Sequence, residues 1–192
     1  QMRPGSIHVS GVQVLVRRGA DGAINLQLGN TGGSLQQAAT PAALVQQIDA
    51  LVTRPHFATL SQISVDNLTL RFADARAGQA WNVDGGQIEI LREGDALAMS
   101  ADLALLGNRD FATTMEMSFR SEIGNAAADL TFTFEDMPAQ DIAGQSPALS
   151  WLDALDAPIS GGLSMQVDEA GKLGPLAASL DIDAGTLSPN DT

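Results

Sequence analysis

The most regular pattern in the chain is an alternation of apolar and polar residues between positions 97 and 119. One run has apolar side chains at every second position, at Leu97, Met99, Ala101, Leu103 and Leu105. After a short polar turn the alternation repeats at Phe111, Thr113, Met115, Met117 and Phe119. Side chains of a β-strand alternate between the two faces of a sheet. The pattern therefore predicts two strands that share one apolar face.

The same alternation continues on both sides of this stretch and predicts a sheet. Further strands are expected near residues 7–16, 24–28, 63–72, 81–90, 128–134, 163–167 and 176–182. The alternation changes phase near Gly11, Asp66-Asn67 and Gly85-Gly86, where bulges are expected. Most turns are short enough to join antiparallel neighbours. We predict a mainly β fold, an antiparallel meander of about nine amphipathic strands forming a curved or trough-like sheet, with two short helices.

Two segments have helical spacing. Thr40 can cap a helix that begins at Pro41, carries an apolar stripe and ends before Pro55. After a break with two prolines, residues 148–155 predict a short helix with Trp151, Leu152 and Leu155 on one side. We expect an N-terminal hairpin and helix (1–60), a meander (61–136), a break with a short helix (137–160) and a C-terminal hairpin (161–192), all in one continuous β-domain.

The predicted helices are too small to cover the predicted sheet. Nine strands at about 4.8 Å each span about 43 Å, whereas a helix is about 10 Å wide. The sheet must curl on itself, stack as a sandwich, pair with sequence outside this chain, or leave a groove open to an apolar ligand.

Charge and composition exclude several function classes. Ten Lys and Arg against 23 Asp and Glu give a net charge of -13, which argues against nucleic acid and against electrostatic docking on anionic lipids. The chain has no cysteine, so disulfides and thiolate metal sites are excluded. No apolar run reaches the roughly 18 residues of a membrane span, and residues 1–10 lack the apolar region of a signal peptide. The chain is expected to be cytosolic or a piece of a longer protein, and its stop soon after a predicted strand favours the second.

Candidate residues for chemistry are few. His8 and His56 have no second histidine or carboxylate at metal-ligand spacing. The pairs Asp153/Asp156 and Asp181/Asp183 are candidates for metal ligands or for an acid and base, but Asp181 and Asp183 share the polar side of an alternating strand, where solvated carboxylates are expected. The loop at residues 29–34 is glycine-rich but lacks the lysine of a phosphate-binding loop. We expect no catalytic residue, no metal and no cofactor.

Two stretches carry a family resemblance. Residues 61–105, "SQISVDNLTLRFADARAGQAWNVDGGQIEILREGDALAMSADLAL", begin with an amphipathic strand. An acidic residue, a glycine and an aromatic residue follow at Asp74, Gly78 and Trp81, and a Glu-Gly-Asp turn then joins two strands. Residues 161–187, "GGLSMQVDEAGKLGPLAASLDIDAGTL", form a hairpin pattern of two alternating strands. Both stretches resemble the AsmA-like family of bacterial envelope proteins, including those of the YhdP type, which are similar to bridge-like lipid transfer proteins.

The resemblance implies a function without a catalytic motif. Proteins of this family form long, incompletely closed β-troughs that are anchored in the inner membrane, cross the periplasm and carry phospholipid acyl chains. By this resemblance the chain is a noncatalytic periplasmic segment that assists phospholipid transport and outer-membrane maintenance. Its expected partners are phospholipid acyl chains, and the membrane through parts of the protein outside this chain.

An open trough places the apolar strand residues against acyl chains. The predicted lipid contacts are Leu97, Met99, Leu103, Leu105, Phe111, Met115, Met117, Phe119, Leu130, Phe132 and Phe134. The alternative is a self-closed β-domain that acts as a protein-interaction or scaffolding module, in which the same residues form an ordinary core.

Overall fold

A computed structural model describes residues 5–20, 24–28, 33–34, 50, 53–54, 59–75, 78–106, 112–144 and 147–187. The strands are β1 (Ser6–Ser10), β2 (Gln13–Arg18), β3 (Ile24–Leu28), β4 (Gly33–Ser34), β5 (Gln62–Asp74), β6 (Gln79–Glu93), β7 (Ala96–Leu106), β8 (Ala112–Glu122), β9 (Ala128–Pro138), β10 (Leu155–Asp156), β11 (Pro158–Val167), β12 (Leu173–Ile182) and β13 (Thr186–Leu187). Helix α1 (Ala139–Ala143) and a 3-10 helix (Pro147–Ala154) follow β9. The predicted mainly β fold is confirmed.

The strands form one large open sheet. Its order is β12-β11-β9-β8-β7-β6-β5-β2-β3-β4, with β1 also paired to β5 and with β10 and β13 forming a separate pair. From β5 to β12 all neighbours in the large sheet are antiparallel, as the predicted meander requires. Strands β1 and β2 instead pair with β5 in parallel. The alternation of side chains specifies faces and not partners, so this parallel pairing was not predicted.

The predicted phase changes coincide with irregular backbone. Gly11 has a φ of 74° and separates β1 from β2, and Asn67 on the facing part of β5 has a φ of 52°. The Gly11 amide donates to the Asp66 carbonyl at 3.0 Å. The register of β5 against β6 shifts between Val65 and Leu68. An extra residue there reverses the alternation, so the apolar residues before and after it lie on the same face.

One face of the sheet is apolar over many strands. Phe119 of β8 pairs with Met99 of β7 and with Leu130 of β9, and Leu130 pairs with Met165 of β11. These residues alternate with serines, threonines and charged residues of the opposite face. The alternation at residues 97–119 therefore produces a continuous apolar layer, called the apolar face below.

The apolar face is buried at its two ends and less so between them. At one end the far cluster comprises Leu97, Phe119, Ala128 and Val167. At the other end, α1 and the 3-10 helix, together called the cap, bury the cap cluster of Phe134, Ala139, Ile142, Ala143, Leu152 and Ile159. Between the clusters Leu103 and Met117 are only half-buried. The cap thus covers one end of the apolar face, and between the clusters Leu103 and Met117 remain partly accessible although Ala101 is buried.

The second predicted helix is present but faces the sheet differently. It is a 3-10 helix in which Leu152 is fully buried, while Trp151 is 56% exposed. The prediction that Trp151 shares the buried side is wrong. A 3-10 helix has about three residues per turn, so Leu149 and Leu152 lie on the same side of it, toward the sheet. Leu155 follows in β10 and packs against the same cap cluster. The α-helical spacing used for the prediction does not apply to this segment.

Other predicted features lie partly or wholly outside the described residues. The helix expected between Thr40 and Pro55 lies almost entirely outside the described residues. His56 lies outside them as well. Within the part of the chain that the structure describes, no helix is both long and apolar enough to cross a membrane.

Gly161 occupies a crowded position under the cap. It pairs with Phe134 and Leu180, and a Cβ atom there lies 2.5 Å from the Ser179 backbone carbonyl oxygen and 2.9 Å from Phe134 Cζ. We expect Gly161→Ala to lower the free energy of unfolding by about 1–3 kcal/mol, because the backbone of β12 and the Phe134 ring must both shift. Gly162→Ala is the control, since the nearest atom to its Cβ is 3.5 Å away. Urea unfolding of both variants measures the difference, and equal losses contradict the crowding.

Candidate functional site

An apolar pocket lies between the apolar face and the cap. Its volume is about 490 Å³, within the size range of small-molecule sites. It extends across the sheet from Phe72 and Trp81 on β5 and β6 to Leu180 on the edge strand β12. Leu180 is 44% exposed. The pocket is therefore accessible from the β12 side.

Two stacked rings form the wall of the pocket farthest from β12. Phe72 and Trp81 pair across β5 and β6, and their ring centroids are 5.5 Å apart with an interplanar angle of 18°. The Trp81 indole Nε1 donates a hydrogen bond of 2.9 Å to Oδ2 of Asp141 in α1. Trp81 is 8% exposed. This hydrogen bond fastens the cap to the sheet at a point 60 residues away in sequence.

The cap is held over the pocket by further backbone contacts. Pro138 ends β9, and the Ala139 amide donates to the Ala157 carbonyl at 3.2 Å. The Gln140 side chain donates to the Leu155 carbonyl at 2.7 Å. Ile142 of α1, which is 7% exposed, lines the pocket from above. The short helix is thus positioned by hydrogen bonds from its first two residues and by its apolar side.

Four of the predicted lipid contacts line the pocket. These are Leu105, Met115, Phe132 and Phe134. Phe132 and Phe134 lie two residues apart on the same face of β9, with ring centroids separated by 5.9 Å. Met115 is half-buried and packs against the cap cluster. The sheet brings these four side chains together because β7, β8 and β9 are consecutive neighbours.

The other predicted contacts lie elsewhere on the apolar face. Leu97 and Phe119 are buried in the far cluster, and Met99 and Leu130 pack against it. Leu103 and Met117 lie between the far cluster and the pocket. Phe111 lies outside the described residues. Lipid contact stays a prediction for all eleven residues, and protein side chains surround the buried Leu97 and Phe119.

Several residues that complete the pocket were not predicted as site residues. Trp81 was assigned to a strand and to the family phrase but not to the site, and Asp141, Ile142 and Leu149 lie in a segment without strand periodicity. Leu180 was assigned to a strand but not to the site. Its place in the same alternation as Leu176 and Ile182 is a signal that could have included it. No comparable signal marks Asp141, because its role depends on the position of the cap.

The lining of the pocket is almost free of charge. Of the residues that the structure describes, Asp141 and Ser179 supply the polar side chains of the lining, and no lysine, arginine or histidine is among them. An apolar concave surface with few polar groups suits a ligand with a large hydrocarbon part. Within the described ranges, no three histidine, aspartate or glutamate residues are grouped as metal ligands. His8 instead contacts the Ser64 hydroxyl at 2.9 Å.

A second depression, of about 590 Å³, differs in chemistry. Its lining includes Arg120, Glu122, Asp129 and Asp168 together with Gln166. Gln166 donates to Asp129 at 2.9 Å. The four ionisable side chains carry both signs of charge, and all five residues are exposed. The depression is larger than the apolar pocket but offers no continuous apolar wall, so we take the apolar pocket as the candidate site.

Comparisons of the chain with models of protein families, with curated proteins and with solved structures found no match.

Proposed function

We propose that this chain is a noncatalytic segment of an AsmA-like envelope protein, in which the apolar β-groove assists phospholipid transport between the inner and outer membranes and outer-membrane maintenance. Such a segment works in the periplasm as part of a protein anchored in the inner membrane. The observation that carries the proposal is the apolar pocket beneath the cap, which lies on the apolar face and is accessible from the β12 side.

The physical chemistry of the pocket supports this proposal. A hydrocarbon chain gains about 0.8 kcal/mol for each CH₂ group that moves from water to an apolar environment. A phospholipid can move from a bilayer to the groove if the groove supplies apolar contacts equivalent to those that the acyl chain loses in the bilayer. Methionine side chains such as Met115 suit this task, since the flexible thioether adapts to a moving chain. No bond is made or broken, so a noncatalytic groove is sufficient.

The two tryptophans of the chain provide a direct test. Trp81 lies in the pocket wall, whereas Trp151 is 56% exposed on the 3-10 helix and does not line the pocket. In a Trp151→Phe variant, Trp81 is the sole tryptophan. We expect a fatty acid brominated along its chain to quench Trp81 emission in a saturable manner, because bromine quenches indole only at short range. Fluorescence titration measures this effect.

The reciprocal variant is the control. Trp81→Phe retains Trp151 as the sole tryptophan, and we expect weak, unsaturable quenching of its exposed indole by the same brominated chain. Equal quenching of both variants indicates nonspecific adsorption and contradicts the pocket. Absence of quenching in the Trp151→Phe variant contradicts acyl binding at this site.

A second candidate function is supported by the edge strand β12. Leu176 and Leu180 are 58% and 44% exposed there, and an edge strand with exposed apolar side chains can pair with an extended segment of another protein. In this alternative the chain is a protein-interaction or scaffolding module. The quenching experiment separates the two candidates, because only acyl binding places bromine next to Trp81.

A further inference from the structure

We infer that the pocket binds one hydrocarbon chain, with its terminal methyl group against the stacked rings of Phe72 and Trp81 and its polar end at β12. The inference rests on the proposed function and deepens it, because it assigns the number of acyl chains, their direction and an upper length. The ligand class is a fatty acid, a single-chain lipid, or one of the two chains of a phospholipid. Phe72 and Trp81 are then the residues that determine the length.

The first observation is the course of the pocket across the sheet. Each of seven successive strands contributes lining residues, from β5 through β6, β7, β8, β9 and β11 to β12. Six inter-strand spacings of about 4.8 Å give a path of up to about 29 Å. The pocket is therefore long in the direction that crosses the strands, and a ligand that fills it lies across them.

The second observation is the volume of the pocket in relation to this length. A volume of about 490 Å³ spread over the path leaves a mean cross-section of about 17 Å². Since carbon atoms in contact are about 4 Å apart, one hydrocarbon chain needs about 15–20 Å² and two parallel chains need about twice that area. Two chains fit only if the path is about half as long. At about 30 Å³ for each CH₂ group, similar to the share of one molecule in liquid water, the pocket holds roughly 16 such groups.

The third observation is that the two ends of the pocket differ. At the inner end the cap and the sheet are in direct contact, since the Trp81 indole N–H donates to Asp141 of α1 at 2.9 Å. Phe72 stacks on the same indole. A hydrocarbon chain cannot pass between two groups that are hydrogen-bonded to each other. At the outer end Leu180 of β12 is exposed, so the chain enters and leaves there.

The same difference between the ends determines the direction of the chain. The Trp81 N–H already donates to Asp141, so the ring pair offers a ligand apolar surface and no hydrogen-bond donor. A carboxylate or phosphate headgroup that moves there loses its hydration without gaining a hydrogen bond from the rings, which is unfavourable. A methyl group has no such hydration to lose. The headgroup therefore stays in water at the β12 edge, and the hydrocarbon end reaches Phe72 and Trp81.

The direction is tested with two fatty acids of equal length and charge, 16-bromohexadecanoate and 2-bromohexadecanoate. Binding is followed by the emission of Trp81 in the Trp151→Phe background, below the micelle concentration of each acid. We expect 16-bromohexadecanoate to quench Trp81 severalfold more at saturation, because only the terminal bromine reaches the rings. Competition between the two acids checks that they occupy the same site. The quenching should saturate at one equivalent of acid for each protein chain.

The end wall is tested with unbranched fatty acids of increasing length that compete with 16-bromohexadecanoate. We expect the affinity to rise by up to about fourfold for each added CH₂ group and to level off at about 16 carbons. Phe72→Ala removes a ring from the end wall and should move this limit upward by about two carbons or more. The matched control is Leu163→Ala, which enlarges the lining on β11, next to the open end, and should leave the limit unchanged.

Each outcome concerns a stated part of the inference. Equal quenching by the two acids, or stronger quenching by 2-bromohexadecanoate, overturns the direction of the chain. Saturation at two equivalents overturns the single chain. A length limit that Phe72→Ala and Leu163→Ala shift alike overturns the role of the end wall. If Phe72→Ala does not fold, the two brominated acids still test the inference, because that comparison leaves the pocket unchanged.

The failure of the inference is distinguishable from that of the proposed function. If neither of the two acids quenches Trp81 while the acid brominated along its chain does, the inference alone is overturned. If the acid brominated along its chain fails as well, the proposed function and the inference are overturned together.

Discussion

Replacing Met115 with glutamate is expected to abolish acyl binding while the sheet stays folded. Met115 is half-buried and lines the pocket, so a glutamate there can remain hydrated as long as the pocket holds water. An acyl chain must displace this water and leave a carboxylate without a partner, which costs several kcal/mol. We expect the affinity for the brominated fatty acid to fall by about 100-fold or more. Fluorescence titration in the Trp151→Phe background measures the loss.

Met117→Glu is the matched control for this variant. Met117 lies two residues farther along β8 on the same face, but it does not line the pocket. We expect it to lose far less affinity than Met115→Glu. If Met115→Glu does not fold, as judged by circular dichroism, Met115 belongs to a closed core and the groove is contradicted. If it folds and binds as tightly as the parent, the acyl chain lies elsewhere.

Replacing Leu152 with alanine is expected to give the largest loss of stability among single changes in the cap. Leu152 is fully buried in the cap cluster, and a buried leucine replaced by alanine costs about 2–5 kcal/mol through lost contacts and a residual cavity. The 3-10 helix is held to the sheet mainly by this residue and its neighbours. We therefore also expect weaker acyl binding. Urea unfolding and the quenching titration measure the two effects.

Trp151→Ala provides a demanding control for Leu152→Ala. It removes a larger side chain from the adjacent position, but that side chain is 56% exposed. We expect a loss of less than about 1 kcal/mol, as for most surface substitutions. A loss as large as that of Leu152→Ala contradicts the orientation of the 3-10 helix.

Local sequence information was sufficient to predict the main strands and which side chains share a face of the sheet. The alternation at residues 97–119 and the bulges at Gly11 and Asn67 follow from side-chain periodicity and backbone conformation, both of which are local. The parallel pairing of β1 and β2 with β5 is not local. Nothing in the sequence of β2 distinguishes β5 from another amphipathic strand, so the partner is decided by the packing of the complete sheet.

The candidate site could be predicted only in part, for a similar reason. Leu105, Met115, Phe132 and Phe134 follow from the alternation of three neighbouring strands. Asp141 and the buried side of the 3-10 helix depend on where a short irregular segment folds back. Five residues of α1 form too short a helix to show a periodic pattern. Its position is set by tertiary hydrogen bonds, among them the one between Trp81 and Asp141, and by its buried apolar residues.

The parallel pairing of β2 with β5 also bears on the order in which the sheet assembles. Arg18 and Asp74 meet at 3.2 Å across these strands although 56 positions separate them in the chain, whereas most neighbours from β5 to β12 are joined by short connections. Closing a long loop costs more entropy and delays pairing. We expect the hairpins of the meander to form early and to present β5 as a template. Strands β1 and β2 then join last, and they are the first to detach when the protein opens.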